Sequence, residues 1–167
     1  MTMDKEPSYL HEQEGQQAWL SGTLGGFLAA APMGVFMIIV HSFLPKWQQY
    51  ALPPERITDA LAARVGLRKK MDGEQHWIAT IVAHFLYSAF VGTLYQPLTR
   101  RITLPTILKG TLFGVFIWAV GYAVLVPLLK IPESSSAQKQ PLPRNLMMIA
   151  AHVVWGILTA EISKLVR

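Results

Sequence analysis

Along this 167-residue chain the apolar residues gather into four long runs separated by polar connections. Ala18–Leu44, Trp77–Thr99, Gly110–Leu129 and Asn145–Ala160 contain no Asp, Glu, Lys or Arg. At a rise of about 1.5 Å per residue, about 20 residues cross a hydrocarbon core about 30 Å thick. Three runs meet that length alone, and the fourth reaches it by continuing through Glu161–Val166 at the membrane edge. The pattern predicts an all-α membrane protein with four transmembrane helices, near residues 18–44, 77–97, 104–128 and 145–166, behind a polar tail of residues 1–17.

Within each run the small and polar residues recur at every fourth position, which places them on one helix face. The first carries Gly22, Gly26, Ala30 and Gly34, the second Thr80, His84, Ser88 and Gly92. The third carries Gly110, Gly114, Trp118 and Tyr122, the fourth Met148, His152, Gly156 and Ala160. Small-residue stripes let helix backbones approach closely, so each predicts a packing face, with Leu, Ile, Val and Phe left for lipid. Pro32 lies inside the first run and predicts a kink near Leu28. Trp19 and Trp47 stand where interfacial anchors belong.

The first loop has structure of its own. Pro53-Pro54-Glu55 reads as a helix start, Ile57, Leu61 and Val65 recur every four residues, and Gly66 follows. This predicts a short amphipathic helix over Pro54–Val65, either on the membrane surface with Arg64, Arg68, Lys69 and Lys70 at the headgroups or as an ordinary solvated loop helix. Glu133–Pro141 reads as a flexible polar loop.

The apolar half of the chain also reads twice. Gly22-Thr23-Leu24-Gly25-Gly26 returns as Gly110-Thr111-Leu112-Phe113-Gly114, and Ile81–Ser88 returns as Ile149–Gly156. The matches predict two pseudo-repeated helical hairpins about an axis along the membrane normal, with His84 and His152 equivalent. The offsets differ, 88 from Gly22 to Gly110 and 68 from His84 to His152, because the loop in the first half is longer.

Composition narrows the chemistry. With no cysteine, disulfides, thiolate nucleophiles, iron–sulfur clusters and cysteine zinc sites are excluded. The formal charge of +5 resides in the connections, which points to topology and gives no reason to expect nucleic acid. Loops one and three hold nine of the 15 Lys and Arg residues, and the tails with loop two hold six. The positive-inside rule therefore places both termini outside, against the pull of Arg100-Arg101 in loop two. The first 17 residues lack the basic start and short apolar stretch of a cleavable signal, so Ala18–Leu44 is expected to stay as an anchor. No phosphate loop, His-Glu-x-x-His or nucleophile elbow occurs, and neither a metal nor a cofactor is expected.

The candidates for chemistry are intramembrane. His84 and His152 start similar distances into spans two and four, with His41 shallower. Tyr87, Trp118, Tyr122 and Trp155 fall near them by helical spacing. Two imidazoles at one depth can relay protons, bind a cation or polar solute, or ligate a haem iron; alternatively each hydrogen-bonds a carbonyl and only locks helices. Glu161, three residues before Lys164, reads as an interfacial ion pair.

With those residues in view, the chain resembles the YagU-like group of small bacterial inner-membrane proteins. The resemblance rests on Gly25-Gly26 through Pro32-Met33, on Leu52–Thr58, and on His84, Tyr87, Gly92 and Tyr95. It continues through Gly110, Phe113-Gly114, Trp118, Tyr122 and Pro127 to Arg144, Met148, His152 and Gly156. It implies a multi-pass protein of the bacterial inner (cytoplasmic) membrane and supplies no reaction. The function expected from the whole sequence is a non-enzymatic structural or accessory subunit, docking onto itself or a larger membrane complex by its small-residue faces. The alternatives are a proton, cation or polar-solute pathway around His84 and His152, and a haem-binding electron carrier.

Overall fold

A computed structural model describes residues 6–128, 130–131 and 139–166, with side chains from residue 15 onward. The first five tail residues and most of the polar loop expected over Glu133–Pro141 lie outside the described residues. The protein is all-α among the described residues: α1 Glu6–Ser42, α2 Pro53–Arg64, α3 Gly73–Gly92, α4 Tyr95–Thr99, α5 Thr106–Trp118, α6 Val126–Leu128 and α7 Leu142–Leu165. Short 3₁₀ turns at Lys46–Gln48 and Arg68–Lys70 flank α2, and a π-helical segment, Ala119–Leu125, joins α5 to α6. Four stretches are long and apolar enough to cross a membrane: Gly15–Ser42, Gly73–Thr99, Thr106–Leu128 and Leu142–Leu165.

Local chemistry sets the ends of these elements. Helix α1 reaches back into the polar tail and runs on as one helix through Pro32, whose side is exposed. Helix α3 starts at Gly73, earlier than its apolar run, because Asp72 and Gln75 form a capping box: the Gln75 N–H donates to Asp72 Oδ1 at 2.8 Å and the Asp72 N–H to Gln75 Oε1 at 3.3 Å. Pro127 explains the π segment. It has no N–H for the carbonyl four residues back and its ring clashes there, so the turn before it widens and the Val126 N–H donates to Gly121 O.

The four spans are not packed all against all. The extensive interfaces are α1 with α7, α5 with α7 and α1 with α3. Helices α1 and α7 therefore form the centre, flanked by α3 on one side and α5 with its π segment on the other. Both flanking interfaces are glycine crossings. A Cβ on Gly92 would lie 2.8 Å from Gly26 Cα, and one on Gly156 would lie 2.8 Å from Gly114 Cα. Gly22 meets the Gly92 carbonyl in α3, and Gly110 meets the Gly156 carbonyl in α7. Between α1 and α7, a Cβ on Gly25 would fall 2.6 Å from both Ser163 Oγ and the Thr159 carbonyl, and Ser163 Oγ donates to Ser21 O at 3.0 Å.

Two sequence expectations change here. Gly34 is not a packing residue: a Cβ there meets nothing within 4 Å, because the buried face of α1 turns onto Ala29, Ala30, Met33 and Met37. The pairing of His84 with His152 is also displaced by one helical turn. Gly22 and Gly26 correspond to Gly110 and Gly114, and the partners they meet are Gly92 with Ser88 in one crossing and Gly156 with His152 in the other. Matched by contact, His152 stands where Ser88 stands, and His84 stands where Met148 stands.

Loop one is tied down from a distance. Arg144 at the start of α7 is fully buried, and its Nη1 donates to the carbonyls of Gln48 (2.6 Å) and Tyr50 (3.1 Å) while Nη2 donates to Ala51 O (3.1 Å). The expected loop-one helix is present as α2. Asp59 on α2 pairs with Arg68, and lies 2.9 Å from Nε2 of the buried His76 on α3.

Candidate functional site

The interface pattern leaves a space where α3 and the π segment do not close on each other. It is a cavity of about 620 Å³, within the range of small-molecule sites. Met33 of α1 and Trp155 of α7 form its floor. One wall is Ala79, Ala83, His84, Tyr87 and Val91 of α3; the other is Ile117, Gly121, Tyr122 and Leu125. Helix α2 roofs it with Pro54, Ile57, Thr58, Leu61 and Ala62. The apolar stripe predicted for α2 is therefore turned to the cavity mouth, with Leu61 47% and Val65 69% exposed at its rim.

Two histidines and two tyrosines converge on this apolar space, with Thr58 and Ser88 also in its lining. The ring of His152, 6% exposed, sets its Nδ1 2.8 Å from the Met148 carbonyl one turn back. Tyr122 packs edge-on against that ring, centroids 5.4 Å apart. His84 Nε2 lies 3.4 Å from Ala30 O, a long contact that ties α3 to α1. Tyr87 reaches across the open side: its hydroxyl is 3.9 Å from where a Cβ on Gly121 would sit. Gly121 lies in the π segment, and the wide turn there brings this backbone to the cavity wall.

Of the residues the sequence singles out, His84, His152, Tyr87 and Tyr122 thus meet in one site. His41 and Trp118 do not. His41 donates from Nε2 to Tyr50 O at 3.1 Å, so it belongs to the loop-one tie with Arg144. Trp118 faces away from the cavity lining and packs against the core. Trp155 takes its place: it lines the floor, stacks on Phe113 at 5.5 Å and donates from Nε1 to Gly26 O at 3.0 Å. Gly26 therefore joins three helices, touching α3 by its Cα and α7 by its carbonyl. The basic cluster Arg64, Arg68, Lys69 and Lys70 is exposed, and within it Arg68 pairs with Asp59. No group of three or more His, Cys, Asp or Glu able to hold a metal occurs among the described residues.

Sequence reasoning assigned no role to Arg144 or His76. Arg144 needed the return of loop one over α7, contacts made across 93 to 96 residues. The cue for His76 was nearer: it follows Gln75 of the capping box, which fixes the first turn of α3 against α2.

A family model described as "Protein of unknown function (DUF1440)" matches residues 35–162. The chain belongs to that family, and the match takes in every cavity-lining residue except Met33 of α1. No curated protein and no solved structure matches.

Proposed function

We propose that this protein is a non-enzymatic binding protein, holding a lipid-soluble small molecule in the cavity between α3 and the π segment. The observation that carries the reading is the cavity itself: about 620 Å³ of mostly apolar wall with a few polar side chains, the two histidines and two tyrosines among them. Sites for membrane-dissolved ligands have that composition, apolar for affinity and sparsely polar for orientation. The expected docking role loses its motivation, because the glycine stripes meant for a partner are filled by the chain's own helices. A route for a cation or polar solute fits less well, since Ile117, Leu125, Val91 and Ala83 offer such a solute no replacement for its water.

The family match supports the resemblance to the YagU-like group, and through it a place in the bacterial inner membrane; the excess of Lys and Arg in loops one and three supports both termini outside. The matching glycine crossings support a duplicated hairpin, with Gly92 equivalent to Gly156 in place of His84 to His152.

The test is native mass spectrometry of the protein released from lipid nanodiscs. The wild type is expected to retain a lipophilic adduct that an Ala83→Trp variant, its cavity filled, loses. Equal adducts on both, or none on either, would overturn the reading. The same preparation should show no Soret absorption; a Soret band would put haem in the cavity instead.

A further inference from the structure

The tautomer of His152 says what kind of head group the cavity takes. A carbonyl oxygen has no proton to give, so the ring nitrogen facing Met148 O at 2.8 Å is the one carrying hydrogen. A neutral imidazole has one N–H, and its second nitrogen is then a lone-pair acceptor. That nitrogen is Nε2. No hydrogen bond to it occurs among the described residues, and the ring to which it belongs is 6% exposed and lines the cavity. With neither a partner nor full burial, Nε2 is reached from the cavity. Filling the cavity with hydrocarbon alone would cover that acceptor without a donor, whereas a ligand with an O–H would satisfy it.

We infer that the ligand is a phenolic amphiphile, an aromatic hydroxyl on an apolar tail, whose O–H donates to His152 Nε2. This rests on the proposed binding role. The aromatic part follows from the neighbours of that ring. Tyr122 stands edge-on to the imidazole and Trp155 forms the floor beside it, so a flat ring finds π faces and edges where an alkyl head would not. A phenol is also a stronger donor than an aliphatic alcohol. Size agrees: a cavity of about 150 Å³ holds benzene, so about 620 Å³ accommodates a substituted ring with a length of tail. His84 is the second imidazole of the site, and its long 3.4 Å contact with Ala30 O leaves it free to turn toward a further polar group on the ring.

The experiment compares 4-nonylphenol, its methyl ether 4-nonylanisole and 1-dodecanol, each titrated into the full-length protein in nanodiscs. The protein carries ¹⁵N-labelled histidine, and binding is read by ligand-detected NMR. The phenol should bind about tenfold more tightly than the ether, equivalent to about 1.4 kcal/mol, and should shift the Nε2 resonance of His152, which the ether leaves in place. In His152→Phe the difference between phenol and ether should vanish while both still bind; if that variant does not fold, the wild-type nitrogen shift decides. Equal affinities for phenol and ether, with no Nε2 shift, would overturn the inference and leave the cavity reading standing. Dodecanol binding as tightly as the phenol would overturn the aromatic head group. No binding of any of the three, in a protein that also lacks an adduct, would overturn the binding role itself.

Discussion

The guanidinium of Arg144 lies over the ring of Tyr50, 3.8 Å from its centroid, and donates to the carbonyl of the same residue at 3.1 Å. Two further donations, to Gln48 and Ala51, let one buried side chain hold the stretch of loop one that leads into α2. A planar guanidinium can serve three carbonyls in different directions and stack at once; a lysine ammonium is a point charge that cannot.

Arg144→Lys should therefore cost about 2 kcal/mol or more, since hydrogen bonds to a charged group are worth about 1.5–3 kcal/mol each. Thermal unfolding in detergent measures it. An unchanged midpoint would mean that loop one is held elsewhere, by His41 or by Gln49, whose Nε2 donates to Leu44 O at 2.7 Å.

The glycines separate into two classes with opposite predictions. At Gly114 an added methyl meets the backbone of His152, and at Gly34 it meets nothing within 4 Å. Backbone cannot give way as a flexible side chain can, so Gly114→Ala should part α5 from α7 and cost about 3 kcal/mol or more. Gly34→Ala should be neutral or stabilising by up to about 1 kcal/mol, because alanine is the better helix former. The two variants compared in one unfolding series check the assignment, and similar losses at both sites would refute it.

What the sequence made legible, and what it hid, follows the same division. Uncharged runs and a Pro-Pro-Glu start are local signals, and the spans and α2 stand where those signals lie. The glycine stripes identified the right faces but not their partners, because a stripe reports an orientation about its own axis only. The similarity of Ile81–Ser88 to Ile149–Gly156 paired the histidines, whereas backbone contact pairs Gly92 with Gly156, one turn further on. The cavity left no pattern of its own, since it arises from two helices failing to meet. The role of Arg144 depended on carbonyls far away in sequence, which a one-dimensional charge count assigns to topology.

Asp59 couples the roof of the cavity to its wall through Arg68 and His76. The Asp59–Arg68 pair is partly exposed, and such pairs contribute little to global stability, about 0–1 kcal/mol. Asp59→Asn should accordingly leave the unfolding midpoint nearly unchanged while raising amide hydrogen exchange selectively across Pro53–Arg64. Exchange that stayed at the wild-type rate in α2 would mean the roof is held by Ile57 and Thr58 packing alone.

Pro127 tests whether the π segment shapes the site. The wide turn at Ala119–Leu125 carries both Gly121, against which the Tyr87 hydroxyl rests, and Tyr122, whose ring meets His152 at 5.4 Å. Proline forces that turn by removing one N–H and crowding the carbonyl four residues earlier. Pro127→Ala restores the donor, so the segment should close toward α-helical pairing, turning Tyr122 by a fraction of a turn off the imidazole edge. The expected readouts are loss of the Tyr122–His152 NMR cross-peak and weaker retention of the cavity adduct, with overall helicity kept. A cross-peak that survived would place the origin of the wide turn in the packing of Gly121 and Tyr122 themselves, since a proline effect cannot persist once the proline is gone.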